Sequence, residues 1–219
     1  MPNNDDYFDE DYFSRKNFLE VLLKGGYTKG NHTGENVWKW NFLRNFIPKG
    51  KKVNEIKVLD VGCGAGHFLN CLPSEMKKFG TDISKASEKL MKKNKINFCL
   101  CDITKKIPFK EKFDIITAFD VFEHLEKPEK ALENVGKMLY TSGILVVEIP
   151  IKTIFNQFLG KIKLGTLDID PTHVKKENFT YWKKVFSKEF EIVRSKKVFV
   201  GAINIPCFNI DGLFVLKKK

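Results

Sequence analysis

The 219-residue sequence lacks the marks of a membrane-spanning or secreted protein. No stretch approaches the roughly 18 consecutive apolar residues that a transmembrane helix requires. The first residues, MPNNDDYFDEDYF, are acidic and aromatic, whereas a secretory signal begins with a basic region followed by an apolar one. We therefore expect a soluble, cytoplasmic protein with no membrane span.

Cysteine is scarce and follows no regular spacing. The chain has five cysteines, an odd number, and none of them forms a CxxC pair. Neither a disulfide framework nor a zinc site is therefore predicted. Cys99 and Cys101 lie in the apolar stretch NFCLCDI, where a free cysteine usually serves as a small buried hydrophobe.

Acidic residues are outnumbered, with 27 Asp and Glu against 38 Lys and Arg, for a formal net charge of +11. A basic excess of this size is compatible with an anionic partner. The lysines are scattered through every segment, however, and do not form one basic block. We interpret most of them as solvated surface, which argues against a nucleic-acid or membrane-surface partner.

What the sequence does contain is a regular alternation of apolar and amphipathic segments. The apolar segments are IKVLDVG, KKFGTDIS, INFCLCDI, FDIITAFD and GILVVEIP, and EIVRSKKVFV and DGLFVLKKK follow as an antiparallel pair. Short apolar runs separated by helix-sized segments are typical of buried parallel strands with crossover helices. We predict an α/β fold with a Rossmann-like, doubly wound, seven-stranded sheet, mostly parallel with an antiparallel last strand and helices on both faces.

The segments between the strands carry apolar residues at helical spacing. HFLNCLPSEM, SKASEKLMKKN and KPEKALENVGKMLY are predicted helices, the last of which is expected to stop at the following TSG. SRKNFLEVLLKGGY and GENVWKWNFLRNFIP are predicted amphipathic helices that precede the first strand.

A glycine-rich turn follows the first strand. Gly62, Gly64 and Gly66 stand between a strand and a helix, where backbone can approach a ligand closely. A dinucleotide fingerprint would place its third glycine at His67. Asp60, at the strand end, would repel a pyrophosphate and attract a cation. A ligand with adenosine at one end and a sulfonium amino acid at the other, such as S-adenosylmethionine, fits both features.

Two more aspartates end the next strands, at intervals of about 20 residues. Asp82 in GTDIS can accept hydrogen bonds from both hydroxyls of a ribose. Asp102 in CLCDIT, with the next backbone N–H, can bracket an adenine edge. Two alternatives stay open, because Asp102 could cap the following turn and Asp82 could be the N-cap of SKASEKL.

In this order and spacing, VLDVGCGAG, GTDIS, CDIT, FDIITAFDVFEHL and GILVVEIP resemble the class I S-adenosylmethionine-dependent methyltransferases, especially the small-molecule group that includes the ubiquinone-type O-methyltransferases. The resemblance covers residues 56–150. It implies S-adenosylmethionine as the cofactor and methyl transfer to an O or N atom of a small-molecule acceptor. The residues implied to hold the cofactor are Asp60, Gly62, Gly64, Gly66, Asp82, Ile83, Asp102, Ile103 and Phe119.

The acceptor end of the cofactor is expected after the fourth strand, at Asp120, Glu123 and His124. A base is needed only for acceptors that must lose a proton. In the ubiquinone-type relatives a comparable acidic set is linked to a divalent metal, but Asp120 stands where they have Glu, and we predict no metal. The alternative is a capping box, in which Asp120 caps a helix and Glu123 reaches back. His173, in a DPTH segment that resembles one in the same family, joins His124 as a predicted catalytic residue.

The segment 151–186 is predicted to form the acceptor wall. Its aromatic side chains either shape an apolar pocket or pack on the sheet. They are Phe155, Phe158, Phe179, Tyr181 and Trp182. Upstream, Tyr27 and Trp38 are candidates to close over the cofactor.

We expect one methyltransferase domain over residues 1–219. Its parts would be N-terminal helices (1–55), a cofactor-binding core (56–150), an acceptor cap (151–190) and closing strands (191–219). The alternatives are a methyltransferase acting on nucleic acid or protein and a non-catalytic S-adenosylmethionine-binding protein. No Asp/Asn-Pro-Pro-Tyr string follows the fourth strand, which argues against methylation of base amines.

Overall fold

The computed structural model describes residues 33–94, 96–153, 170, 172–198 and 211–219. Four sequence predictions lie outside these residues: the helix SRKNFLEVLLKGGY, Tyr27, Phe155 and Phe158.

Seven strands form one sheet. Their bounds are β1 Lys57–Val61, β2 Lys77–Asp82, β3 Asn97–Leu100, β4 Phe113–Phe119, β5 Leu139–Pro150, β6 Phe190–Val198 and β7 Asp211–Lys218. The spatial order is β3-β2-β1-β4-β5-β7-β6. The first five strands pair in parallel, and β7 runs antiparallel to both β5 and β6. The predicted Rossmann-like α/β fold is confirmed.

The α-helices of the described residues connect and cover these strands. They are α1 Thr33–Leu43, α2 His67–Cys71, α3 Lys85–Lys93, α4 Pro128–Met138 and α5 Phe179–Glu189, with 3-10 turns at Arg44–Phe46, Val53–Glu55 and Phe122–His124. Two helices begin at side-chain caps, Ser84 before α3 and Asn178 before α5. Within this part of the chain, no helix combines the length and the apolar character that crossing a bilayer would need.

Two predicted helices are shorter in the structure than their sequence patterns. Helix α2 ends at Cys71, because Leu72 is extended and precedes a proline. Helix α4 ends at Met138, and the TSG segment predicted to stop it belongs to β5 instead. Gly143 has a packing role in that strand, since a Cβ there would lie 2.9 Å from the carbonyl oxygen of Phe113.

Alternating side chains of the central strands feed two apolar layers, one on each face of the sheet. In β1, Leu59 belongs to one layer and Val58 to the other, and both are fully buried. Helices α4 and α5 cover the first layer, whereas α1, α2 and α3 cover the second. The helices are therefore held mainly by apolar burial against a sheet that is covered on both faces.

The described aromatic residues of the predicted acceptor wall pack on the sheet. Trp182 is fully buried and stacks with Phe186, with ring centroids 5.7 Å apart. Phe179 stacks on Phe214 of β7 at 4.9 Å, and Tyr181 meets Trp182 edge-on at 5.3 Å. Of the two alternatives for these three residues, packing is the one that the structure shows.

Candidate active site

A pocket opens at the carboxyl ends of the central strands, where the strand order reverses between β1 and β4. Ligands of open parallel sheets bind at such switch points. All of the residues predicted to hold the cofactor line this pocket except Gly66. Sequence reasoning missed one wall, which consists of Glu35, Asn36 and Lys39 of α1.

The glycine loop forms the floor of the pocket and requires glycine for two reasons. Gly62, Gly64 and Gly66 all have positive φ, at 68°, 49° and 75°, a region that other residues enter only with strain. In addition, a Cβ on Gly62 would lie 2.5 Å from Cγ2 of Val121. Gly66 is the N-cap of α2, and its role is to turn the chain into that helix.

Asp60 brings a carboxylate to the end of β1. It is 4% exposed and accepts a hydrogen bond of 2.6 Å from the Thr117 hydroxyl of β4. Burial raises the pKa of Asp60 to about 7, although the Thr117 hydrogen bond and the charge of Lys39 act in the opposite direction. The donor is a neutral hydroxyl, so a cationic ligand would stabilise the ionised carboxylate further.

Asp82 ties the end of β2 to the glycine loop. Its two carboxylate oxygens accept from the backbone N–H groups of Gly64 and Ser84, each at 2.8 Å. The N-cap of α3 is Ser84, so the alternative that Asp82 caps this helix is wrong. Burial raises the pKa of Asp82, and the two N–H groups moderate the rise. Each oxygen keeps a second lone pair, with which it can accept a ribose hydroxyl.

Asp102 caps a turn and also lines the pocket beside Ile103. Its Oδ1 accepts from the Thr104 amide at 2.8 Å and from the Thr104 hydroxyl at 2.6 Å. Partial burial would raise the pKa of Asp102, but the Thr104 hydrogen bonds and Lys105 lower it below the ordinary value. The capping alternative is correct, and the other oxygen, Oδ2, lies 3.6 Å from Nζ of Lys105.

The predicted capping box at Asp120 and Glu123 is absent from the structure. Asp120 has a φ of +54°, and its amide donates to the Glu148 carbonyl oxygen of β5 at 3.0 Å. The following turn is a 3-10 helix whose N-cap, Val121, makes no side-chain capping bond. The Asp120 amide, which Glu123 was predicted to bind, is therefore hydrogen-bonded to β5 instead. Desolvation raises the pKa of Asp120 to about 6, with Lys39 opposing the rise.

His124 and His173, predicted as catalytic, meet edge to face with ring centroids 4.6 Å apart. His124 lines the pocket, and His173 packs against its ring. Nε2 of His173 lies 3.7 Å from Oε1 of the buried Glu123. One ligand atom from each of the three residues lies within 4.8 Å of the others, and this donor set could hold a divalent cation. That the protein uses no metal remains a prediction.

Lys39 buries an ammonium group at the mouth of the pocket. Its Nζ lies 2.6 Å from Glu35 Oε1, 2.8 Å from Glu148 Oε2 and 4.5 Å from the ring centre of Phe119. Burial alone would lower the pKa of Lys39, but Glu148 and Glu35 outweigh it and raise that pKa above the ordinary range. Lys39 is therefore charged, and it connects α1 with β5.

Comparison with known proteins identifies the family. A family model described as a methyltransferase domain matches residues 52–199, and the chain belongs to this family. It is 33% identical over 104 residues to the ubiquinone biosynthesis O-methyltransferase of Glaesserella parasuis, a match that covers 42% of this chain and 44% of that protein. It is 32% identical over 121 residues to the uncharacterized protein MJ1123 of Methanocaldococcus jannaschii, covering 55% and 53%. The chain spans about half the length of the curated relatives it matches.

Solved structures share the fold at low sequence identity. The N-methyltransferase NodS of Bradyrhizobium japonicum, in complex with S-adenosylhomocysteine, superimposes with a TM-score of 0.66 at 16% identity, covering 99% of this chain and 98% of that one. The magnesium protoporphyrin IX methyltransferase of Synechocystis, with the same ligand bound, superimposes with a TM-score of 0.65 at 18% identity, covering 99% of this chain and 98% of that one. The predicted family is confirmed, and its cofactor is S-adenosylmethionine.

Substitution of Gly62 by alanine should lower the melting temperature. The alanine would occupy a φ of 68° and bring its Cβ against Val121, at a cost of roughly 1–3 kcal/mol. Scanning calorimetry measures the change. Gly50→Ala is the control, because Gly50 has a φ of 87° and a Cβ added there would have nothing within 4 Å. Equal decreases in melting temperature in the two variants would show that the contact with Val121 contributes nothing to the destabilisation.

Substitution of Lys39 by methionine should destabilise the fold by roughly 3–5 kcal/mol, because it leaves the buried carboxylate of Glu148 and the partly exposed one of Glu35 without their shared cation. Urea unfolding measures this free energy. Lys92→Met is the matched control, since Lys92 pairs with Glu88 at 3.0 Å but is 74% exposed and should cost less than about 1 kcal/mol. A loss in Lys39→Met no larger than the control's would contradict the structural role of Lys39.

Asp60 should make the ligand-free protein less stable as the pH rises. Its pKa is about 7 in the folded chain against an ordinary 3.8, so the folded state binds the proton more tightly. The free energy of unfolding therefore falls between about pH 4 and pH 7. Asp60→Asn keeps an acceptor for Thr117 without the charge. At pH 8 it should be more stable than the wild type by on the order of 1–3 kcal/mol, and the difference should vanish near pH 4.

Calorimetry of both proteins at the two pH values measures this difference. A wild type as stable as Asp60→Asn at pH 8 would show that the buried carboxylate carries no such cost.

Proposed function

We propose that the protein transfers the methyl group of S-adenosylmethionine to an oxygen or nitrogen atom of a small-molecule acceptor, as a single domain over residues 1–219. The observation that carries the proposal is one pocket that joins a glycine cradle and a buried carboxylate to a histidine, His124. The relatives named ubiquinone biosynthesis O-methyltransferase favour a small acceptor.

The residues of the pocket fit the cofactor. Gly62 and Gly64 line the pocket with bare backbone at positive φ, and Asp60 would offer its carboxylate to the amino and sulfonium groups. Asp82 would accept the ribose hydroxyls. Asp102 and the Ile103 amide would hold the adenine, and Ile83 and Phe119, which line the same pocket, would lie along the cofactor. When bound, S-adenosylmethionine supplies a methyl group activated by its attachment to a positively charged sulfur.

The remaining work of the protein is to position an acceptor and to exclude water. Helix α1 covers one side of the pocket, where Lys39 and Glu35 line it. His124 stands at the other side, next to Asp120, where a base could remove a proton from a hydroxyl acceptor. His173 supports the His124 ring through the edge-to-face contact.

The charge of the pocket favours a small molecule over a nucleic acid. The chain carries a net +11, but apart from one lysine and two histidines, His67 and His124, the charged side chains that line the pocket are acidic. Its acidic members are Glu35, Asp60, Asp82, Asp102 and Asp120, and the lysine is Lys39. A polyanion would be repelled from this entrance, whereas a neutral or cationic acceptor would not.

Thermal unfolding with added ligands tests the cofactor part of the proposal. At 100 times its dissociation constant a ligand stabilises by about 2.7 kcal/mol, which raises the melting temperature by several degrees at roughly 2–4 °C per kcal/mol. S-adenosylmethionine and S-adenosylhomocysteine should both give this shift, and Asp82→Ala should abolish it. Nicotinamide dinucleotide is the control ligand. A shift with the dinucleotide alone would overturn the proposal.

Methyl transfer tests the acceptor part. The protein is incubated with methyl-labelled S-adenosylmethionine and a panel of phenols, catechols and primary amines, and products are detected by mass spectrometry. A methylated panel member is expected. Labelling of added RNA or protein, with every small molecule unmethylated, would overturn the small-molecule acceptor while leaving the cofactor in place.

A further inference from the structure

A chain of hydrogen bonds leads from a buried aspartate to His124 at the pocket. Thr172 Oγ1 lies 2.5 Å from Asp170 Oδ1 and 2.9 Å from His124 Nδ1. The Thr172 amide also donates to Asp170 Oδ1, at 2.8 Å. Both residues are buried, with 8% of Asp170 and 7% of Thr172 exposed, so these bonds are shielded from competing water.

The direction of each bond follows from the protons available. An ionised carboxylate has no proton and only accepts, so Thr172 gives its single hydroxyl proton to Asp170. Toward His124, Thr172 Oγ1 can then only accept, which requires a proton on His124 Nδ1. The carbonyl oxygen of Thr172, 3.3 Å from the same Nδ1, is also an acceptor. Both contacts therefore select the Nδ1–H form of the imidazole.

In a neutral imidazole one nitrogen donates and the other accepts. With Nδ1 as the donor, Nε2 is the nitrogen that can take a proton, and His124 lines the pocket. We infer that Asp170 and Thr172 are positioning residues, which fix His124 in the Nδ1–H tautomer so that Nε2 acts as the general base toward a hydroxyl acceptor.

This inference rests on the proposed function and narrows its acceptor class. A neutral amine can attack without a base, whereas a hydroxyl must lose its proton. As the acceptor oxygen forms its bond to the methyl carbon, its proton passes to His124 Nε2, and the electron pair of the broken carbon–sulfur bond remains on sulfur. The products are a methyl ether, a neutral thioether and an imidazolium, which returns its proton to solvent.

The tautomer can be measured without an acceptor. The chain has four histidines, so long-range proton–nitrogen correlation spectra of 15N-labelled protein contain four imidazole patterns, in which Nδ1–H and Nε2–H forms differ. The pattern missing from His124→Gln belongs to His124. At pH 8 we expect the Nδ1–H pattern for this residue in the wild type. An Nε2–H pattern would overturn the inference.

Two substitutions at Thr172 separate positioning from packing. Thr172→Val keeps the volume and removes the hydroxyl, so the Nε2–H form of His124 should become populated. Thr172→Ser keeps the hydroxyl and should retain the wild-type pattern. An unchanged pattern in Thr172→Val would show that the Thr172 carbonyl oxygen alone fixes the tautomer, and it would overturn the positioning role of the Thr172 hydroxyl and of Asp170.

The shift in melting temperature with S-adenosylhomocysteine is recorded for each variant, because it reports folding and the proposed cofactor independently of the tautomer. If the melting temperature of the wild type did not change with S-adenosylhomocysteine, the proposed function would be overturned, whereas the tautomer measurement would still be valid. In the acceptor panel, products from amines alone would overturn the hydroxyl assignment.

Discussion

The pocket depends on one buried ammonium group, that of Lys39. It is shared by Glu35 on the same helix and Glu148 on β5, and it lies over the ring of Phe119 at the end of β4. Apolar burial holds α1 against the sheet, but burial is non-directional and does not fix where along the strands the helix sits. The ion group of Lys39, Glu35 and Glu148 does fix the position of the helix, because a desolvated charge is costly unless its partners are in place. Helix α1 thereby becomes a wall of the pocket.

Burial also determines the protonation of the acidic side chains that line the pocket. The protein is basic as a whole, yet its carboxylates collect where the parallel strands end and where water is scarce. Burial raises the pKa of Asp60 to about 7 and that of Asp120 to about 6, so that ionising these carboxylates in the pocket is costly, and a nearby cation would lower that cost. A cationic ligand would relieve more of this cost than a neutral ligand of the same shape.

The sequence was most informative where a structural feature has a local pattern, such as an apolar run of strand length or an aspartate at the end of a strand. Apolar runs predicted the strands, and aspartates after three of them were predicted to meet at one edge of the sheet, because parallel strands end together. Contacts between distant segments left no such pattern. Lys39 is an ordinary residue of an amphipathic helix until the fold brings Glu148 to it. The capping-box pattern at Asp120 failed for the same reason, since a long-range bond to β5 took the amide. At Asp102 the structure shows the cap to Thr104, and the contact with adenine stays a prediction.

The segment after β5 is joined to the turn that carries His124 by a backbone hydrogen bond. Structures at 16% and 18% identity share this sheet over nearly their whole length, so the sheet alone does not decide what is methylated. In this chain the segment is anchored by backbone bonds, from the Lys175 amide to the Glu123 carbonyl at 2.9 Å and from the Lys152 amide to the Glu177 carbonyl at 2.8 Å. The first of these bonds joins the stretch that carries His173 to the turn that carries His124. A shift of this segment would therefore also move the turn that carries His124, one of the residues that line the pocket.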